Sequence, residues 1–175
     1  SRDGVEALDA EWKLGQAATS LAADAKRLTL ADGATVEADA VVLATGTRAR
    51  RLPFGKELDG IVELRTLEDA RKLRAAIASN PRVVVVGAGF IGMEVAASCR
   101  KKGLEVTVVE PLPAPLIRGL GSVLGERVAR THRDEGVVFR LGAGVDGFEG
   151  EGSVTGVRLS DGEMLPAELV IVGVG

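Results

Sequence analysis

The fold of this chain is decided by the stretch Pro81-Arg-Val-Val-Val-Val-Gly-Ala-Gly-Phe-Ile-Gly-Met-Glu94. Its apolar β-branched run, residues 83–86, is typical of a strand that is buried on both faces of a parallel sheet. Gly87, Gly89 and Gly92 follow in G-x-G-x-x-G spacing. The first glycine permits a tight turn, the second lets a pyrophosphate approach bare backbone, and the third lets a helix pack against the strand. The sequence therefore predicts a strand, a turn and a helix whose N-terminus faces phosphates.

The residues that follow fit the same motif. Residues 91–102 read as a helix, Gly103 occupies the usual position after a helix end, and residues 104–109 form a second apolar strand. Glu110 ends that strand, where a carboxylate can accept both hydroxyls of an adenosine ribose. The order of elements favours a dinucleotide-binding βαβ unit, predicted over residues 82–110. The alternatives are a βαβ unit without nucleotide and a Glu110 that merely ends a strand at the surface.

Composition narrows the class of protein. The chain has 175 residues, 46% of them hydrophobic, with 23 glycines, which is typical of a soluble α/β protein of one or two domains. A net charge of −3 and 3% aromatic residues argue against a nucleic-acid partner. With no apolar run of membrane-spanning length and no signal peptide visible in this sequence, we expect no membrane partner. Cys99 is the only cysteine, so no internal disulfide is expected, and a reducing cytoplasm is the expected location.

The remaining elements are predicted from periodicity and turn residues. Strands are expected at residues 12–15, 25–30, 35–37, 39–44, 137–141, 154–159 and 169–172. Helices are expected at residues 66–78 and 121–135, the first capped by Thr66 with Asp69 at its third position.

A repeat links the two ends of the chain. The turn Asp32-Gly33 precedes the apolar pair Val41-Val42 as the turn Asp161-Gly162 precedes Val170-Ile171. Only the second copy has its own glycine fingerprint. We therefore expect a fragment that carries the end of one dinucleotide-binding domain, residues 1–53, followed by most of another, residues 54–175.

With these motifs in view, the chain resembles the flavin-dependent pyridine nucleotide-disulfide oxidoreductases, and among them the NADH-dependent reductases of putidaredoxin, rubredoxin and biphenyl dioxygenase systems. The resemblance rests on the segments 43–53, 64–70, 87–94, 108–110, 136–137 and 172–175. It implies a Rossmann-like three-layer α/β fold with a parallel sheet and a β-meander, preceded by the C-terminal part of a second, incomplete domain of the same fold. It also implies transfer of hydride from NADH to FAD, and then of electrons to a ferredoxin or rubredoxin-type iron–sulfur partner.

The resemblance also assigns site residues. The residues implied to bind NAD are Gly87, Gly89, Phe90, Ile91, Gly92, Glu110, Arg118, Gly173 and Val174. Those implied to touch FAD in the complete protein are Ala44, Thr45, Gly46 and Arg50. Glu94 is implied to lie toward the nicotinamide and flavin, as the catalytic residue. No metal site is expected.

Each assignment has a plainer alternative. Glu94 is favoured on the first helical turn by the helix dipole alone, and Arg118 could be a solvated loop residue. Arg48, Arg50 and Arg51 form either an anion-binding edge or a solvated turn. His132 has no neighbour at metal-ligand spacing, so a surface or capping role is expected for it.

Other functions remain open from the sequence. These are an NADH oxidase or disulfide reductase of the same superfamily, a nucleotide-binding module without activity, and an interaction protein related to apoptosis-inducing flavoproteins. We expect the fragment alone to be inactive and not to retain flavin tightly. Open sheet edges make a homodimer possible.

Overall fold

The computed structural model describes residues 8–55 and 57–174, which divide into two compact units at Gly46 and Thr47. Residues 1–7 of the predicted first domain, and Gly175 of the last motif, lie outside the described residues. The assignment of the two units to an FAD domain and an NAD domain, with its boundary at residues 53 and 54, stays a prediction.

The first unit contains a three-stranded antiparallel sheet in the order β1-β2-β3. Its strands are β1 Ala18–Ala22, β2 Arg27–Leu30 and β3 Thr35–Glu37. The predicted hairpin between the last two is confirmed, with Leu28 opposite Val36.

The second unit is built on a five-stranded parallel sheet in the order β4-β11-β5-β6-β7. These strands are β4 Ile61–Glu63, β5 Val83–Val86, β6 Val106–Glu110, β7 Val138–Leu141 and β11 Leu169–Val172. A separate antiparallel meander consists of β8 Val145–Glu151, β9 Ser153–Leu159 and β10 Met164–Pro166. The fingerprint strand β5 lies at the centre of the parallel sheet, where both of its edges are hydrogen-bonded.

Three helices cover one face of this sheet, and the meander covers the other. Val83 and Val85 of β5 point into a core shared with the helices, whereas Val84 and Val86 point into a core shared with β9 and β10. All four valines are at most 5% exposed, as expected for a strand buried on both faces. The predicted three-layer α/β fold with a parallel sheet and a meander is confirmed.

The first two helices begin and end within about two residues of the predicted positions. Helix α1 is Leu67–Ala76, with a complete capping box between Thr66 and Asp69, and a 3₁₀ turn, Ile77–Ser79, follows it. Helix α2 is Phe90–Lys101, and its end is a Schellman motif in which Gly103 and Leu104 donate to carbonyls of the last turn.

Helix α3 is Ile117–Asp134, with an interruption at Gly121 (φ 77°, ψ 172°). The predicted start at residue 121 therefore marks the interruption, and one helical turn precedes it.

Two predicted strands are wrong. Residues 12–15 end in a turn, and residues 39–44 form no strand in the described chain. Val42 and Leu43 are 87% and 72% exposed. Among the described residues, no strand lies beside them to accept their backbone hydrogen bonds and cover their side chains. The sequence analysis also missed β1, β4, β8 and β10, which are short or interrupted by glycine and charged residues.

The predicted repeat is visible in two turns with the same hydrogen bonds. In each, the glycine N–H donates to a leucine carbonyl at 3.0 Å, Gly33 to Leu30 and Gly162 to Leu159. In each, the aspartate carboxylate accepts the N–H two residues later, at 2.9 Å for Asp32 and 3.0 Å for Asp161.

Candidate functional site

A cavity of about 760 Å³ lies in the second unit, at the carboxyl ends of the parallel strands. Residues that follow β4, β5, β6, β7 and β11 all contribute to its lining. Ligands of open α/β sheets bind at this edge, because the loops after the strands meet there.

The glycine fingerprint forms the floor of the cavity, and each glycine has a different packing reason. Gly87 adopts φ 97°, and a Cβ there would lie 2.9 Å from the carbonyl oxygen of Gly173. A Cβ on Gly92 would overlap the carbonyl oxygen of Gly87, so the helix can approach the turn only without a side chain. A Cβ on Gly89 would meet nothing within 4 Å. Open space above bare backbone at Gly89 is the feature that a pyrophosphate site requires.

The start of α2 offers hydrogen-bond donors to this space. Gly89 is the N-cap of the helix and has no side chain to cap it. Within residues 8–55 and 57–174, no acceptor is recorded for the N–H groups of Gly89, Phe90 and Ile91. Together with the partial positive charge of the helix end, these N–H groups favour an anion.

Among the described residues, Glu110 is the only one that places a carboxylate on the cavity lining. Its Oε2 accepts the N–H of Ala88 at 2.7 Å, and its Oε1 accepts the N–H of Leu112 at 3.1 Å. Each oxygen retains a further lone pair, so the carboxylate can still accept ribose hydroxyls. Glu110 therefore does not merely end a strand at the surface: it is half-buried and bonded to the fingerprint turn.

The segment after β6 forms one wall of the cavity. Leu116 adopts the left-handed conformation (φ 57°, ψ 12°), which is uncommon for a residue other than glycine, and its N–H donates to the carbonyl of Ala88 at 2.9 Å. Arg118 lies on the next turn, exposed and on the cavity lining. Gly119 lies against the ring of Phe90, since a Cβ there would be 3.0 Å from the ring.

The cavity is also lined by Gly173 and Val174, which follow β11 and lie beside Gly87, and by three arginines. These are Arg48, Arg50 and Arg65. The Nε of Arg65 donates to the carbonyl of Thr47 at 3.2 Å, which links this arginine-containing segment to the end of β4. Of the three arginines in the sequence cluster, Arg51 instead pairs with Glu63 at 3.2 Å.

The structure brings most of the predicted site residues to one cavity. The predicted residues on its lining are Gly87, Gly89, Phe90, Ile91, Glu110, Arg118, Gly173, Val174 and Arg50. Gly92 packs beneath the turn, and Glu94 is exposed on α2; neither lies on the cavity lining.

Ala44, Thr45 and Gly46 belong to the first unit. Their predicted contact with FAD stays a prediction.

The sequence analysis missed Ala88, Leu112 and Arg65. Ala88 and Leu112 contribute only main-chain groups, which no residue type reveals. Arg65 follows the three-residue strand Ile61–Glu63, which is too short to be predicted from its sequence, and only the strand order of the sheet brings it to the cavity.

The only histidine and the only cysteine in the sequence contribute to packing within the fold. His132 is half-buried between two helices, with Nδ1 3.0 Å from the carbonyl oxygen of Val128 and Nε2 3.3 Å from that of Met93. Cys99 is 3% exposed in the core between α2 and the sheet, and burial raises the pKa of its thiol.

In the part of the chain that the structure describes, no cluster of three metal-ligating side chains is present. Among the same residues, no helix has both the length and the apolar character needed to span a bilayer.

The second unit has a parallel sheet, an uncapped helix N-terminus over a glycine turn, and a carboxylate at the end of the next strand. This combination is characteristic of dinucleotide-binding domains. The chain belongs to the pyridine nucleotide-disulphide oxidoreductase family, whose model matches residues 5–175.

Two curated relatives illustrate the similarity. Rhodocoxin reductase of Rhodococcus erythropolis is 44% identical over 154 residues, which cover 87% of this chain and 36% of that protein. The ferredoxin–NAD(+) reductase subunit of the benzene 1,2-dioxygenase system of Pseudomonas putida is 41% identical over 166 residues, covering 94% and 40%.

Two solved reductase structures are also similar to this chain. A ferredoxin reductase from Rhodopseudomonas palustris superposes with a TM-score of 0.84 at 40% identity, covering 93% of this chain and 41% of that one. Putidaredoxin reductase in its covalent complex with putidaredoxin gives 0.82 at 38% identity, covering 92% and 40%. The chain thus spans about two fifths of the length of these proteins.

Proposed function

We propose that this chain is the NADH-binding part of a flavoprotein reductase. In the complete protein, hydride passes from NADH to FAD, and electrons then pass singly to a ferredoxin or rubredoxin-type iron–sulfur protein. The observation that carries the proposal is the open space above Gly89, bordered by uncapped N–H groups and by the Glu110 carboxylate. The names of the relatives, reductases of ferredoxins and of rhodocoxin, support the electron acceptor.

A dinucleotide fits the residues of the cavity. The N–H groups of Gly89, Phe90 and Ile91 would hold the pyrophosphate, and Arg118 would add a positive charge beside it. Glu110 would accept the hydroxyls of the adenosine ribose and repel a 2′-phosphate, so NADH is preferred to NADPH.

The residues after β11 suit a nicotinamide. Gly173 and Val174 line the cavity beside the fingerprint turn, and Val174 offers an apolar surface to the ring. When bound, NADH and FAD would supply the hydride and electron transfer. The contribution of this chain is to orient the dinucleotide and keep its pyrophosphate in place.

Two further assignments concern contacts with FAD in the complete protein. Glu94 is proposed to lie toward the nicotinamide and flavin. Ala44, Thr45, Gly46 and Arg50 are proposed to touch FAD.

The proposal also includes a cytoplasmic location and a homodimer. Strands β4 and β7 are the outer strands of the five-stranded sheet, and an unpaired outer edge can pair with a second copy. Sedimentation velocity of the chain over a range of concentrations distinguishes a dimer from a monomer.

The test of the NADH site is a calorimetric titration of the chain with NADH and, separately, with NADPH. We expect NADH to bind more tightly. Glu110→Ala should weaken NADH binding about tenfold and reduce the preference, because charged hydrogen bonds to the ribose are lost. Glu105→Ala is the matched control, since Glu105 is exposed at the other end of β6.

The outcomes of this titration test the pyrophosphate site and the ribose assignment separately. Binding of neither nucleotide by the wild-type chain would refute the pyrophosphate site. Unchanged affinities for both nucleotides in Glu110→Ala would refute the ribose assignment.

A stoichiometric yellow chromophore that survives purification would contradict our expectation that this chain does not retain flavin.

A further inference from the structure

Ala88, the residue between the first two fingerprint glycines, is held on one side by the last residue of β6 and on the other by the segment that follows β6. Its N–H donates to Oε2 of Glu110 at 2.7 Å, and its carbonyl accepts the N–H of Leu116 at 2.9 Å. The residue is 1% exposed. Neither peptide group of Ala88 can rotate without breaking one of these buried hydrogen bonds.

Glu110 is itself fixed by its neighbours. Its Oε1 accepts the N–H of Leu112, and its main-chain carbonyl accepts the N–H of Gly142 at 2.8 Å. Both carboxylate oxygens therefore face N–H donors. A glutamine could satisfy only one of these donors, because its NH₂ group would face the other.

The residues next to Ala88 are the ones with unused donors. The N–H groups of Gly89 and Phe90 border the cavity, and no acceptor is recorded for them within the described residues. The N–H of Gly89 lies in the peptide plane that follows Ala88, which is fixed by the hydrogen bond from the Leu116 N–H. The hydrogen bond that Ala88 donates to Glu110 fixes the peptide plane before it, and so the course of the turn that leads to Gly89 and Phe90.

We propose that Glu110 is a positioning residue for the pyrophosphate site, in addition to its proposed contact with the ribose. By accepting the Ala88 N–H, it holds the fingerprint turn in the conformation that leaves the N–H groups of Gly89 and Phe90 available to an anion. This inference rests on the proposed pyrophosphate site but goes beyond the ribose contact.

The two roles of Glu110 predict opposite effects on a ligand without a ribose. If Glu110 acts only on the ribose, its removal takes a negative charge away from inorganic pyrophosphate, which leaves binding unchanged or makes it tighter. If Glu110 positions the turn, its removal weakens pyrophosphate binding although a repulsive charge is lost.

The experiment is a titration of the ¹⁵N-labelled chain with inorganic pyrophosphate, followed through the amide signals of Gly89 and Phe90. Wild type is compared with Glu110→Gln and with Glu105→Gln, which removes the same charge at the far end of the same strand. We expect about fivefold weaker binding in Glu110→Gln, the loss of roughly one hydrogen bond, and no change in Glu105→Gln. Equal or tighter binding in Glu110→Gln overturns the proposal.

Amide exchange of the wild-type chain gives a second test that needs no folded variant. Ala88 should exchange much more slowly than Gly89 and Phe90, because its N–H alone has a protein acceptor. Exchange of Ala88 as fast as that of Gly89 overturns the positioning role. Failure of the wild-type chain to bind pyrophosphate would instead refute the pyrophosphate site, with the exchange rates still deciding whether Glu110 holds the turn.

Discussion

Replacement of Gly92 by alanine should damage both the fold and the nucleotide site. The new Cβ would overlap the carbonyl oxygen of Gly87 and lie 3.3 Å from Cγ1 of Val85. The obstacle is backbone rather than a flexible side chain, so the start of α2 must move away from the turn by roughly 1 Å or more. Overpacking of this kind costs about 1–3 kcal/mol, of which the better helix propensity of alanine restores up to about 1 kcal/mol. The expected net loss of stability is about 1–2 kcal/mol.

The same movement should weaken nucleotide binding. Displacing the helix carries the N–H groups of Phe90 and Ile91 away from the position of the pyrophosphate, and the loss of one charged hydrogen bond alone weakens affinity about tenfold. Urea denaturation measures the stability, and calorimetric titration with NADH measures the affinity.

Gly89→Ala is the matched control for Gly92→Ala. At Gly89 the backbone has φ −75° and a Cβ meets nothing within 4 Å, so the fold should tolerate alanine. The methyl group would still occupy the space that a pyrophosphate needs, so NADH binding should fall without loss of stability. Wild-type stability and affinity in Gly92→Ala would refute the packing argument, and wild-type affinity in Gly89→Ala would refute the placement of the pyrophosphate.

Three further predictions concern the core, a helix cap and the thiol. Val85→Ala, at a side chain with 0% exposure, should lower the free energy of unfolding by about 2–3 kcal/mol in urea denaturation, whereas Val123→Ala, at 83% exposure, should change it by less than about 0.5 kcal/mol. Thr66→Ala should cost about 1 kcal/mol. Hydrogen bonds from the backbone N–H and the side chain of Thr66 hold the pKa of Asp69 below its usual value, so the contribution of this carboxylate is present at neutral pH and is lost as the pH falls through that lowered pKa. Equal acid sensitivity of wild type and Asp69→Asn, which has no titrating carboxyl at this position, would contradict this. Cys99 is buried with a raised thiol pKa, so Ellman's reagent should modify it only as fast as the chain unfolds, and rapid reaction of the native chain would show that the position is open.

Much of the candidate site could be predicted because one short stretch of sequence encodes it. The fingerprint glycines place a turn and a helix start by backbone sterics alone, and Glu110 follows one strand later. Leu112 and Arg65 could not be predicted in the same way. They reach the cavity because strand order brings the ends of β4, β5 and β6 to one edge, and strand order is a long-range property.

The hydrogen bonds of Glu110 likewise could not be predicted from the sequence. The sequence gives a carboxylate at the end of a strand and suggests a ribose contact. Only the packed structure shows that its oxygens already accept the N–H groups of Ala88 and Leu112, because those donors come from two different loops.

Two apolar runs with similar sequences, residues 39–44 and 169–172, show what the sequence alone determined and what only the tertiary structure decided. The hairpin turns before them, Asp32-Gly33 and Asp161-Gly162, have the same hydrogen bonds, because a turn is closed by its own few residues. The runs themselves differ: residues 169–172 form a fully buried strand between β4 and β5, whereas residues 39–44 form none. A buried strand exists only where neighbouring strands accept its hydrogen bonds and cover its side chains, and those neighbours are supplied by the fold.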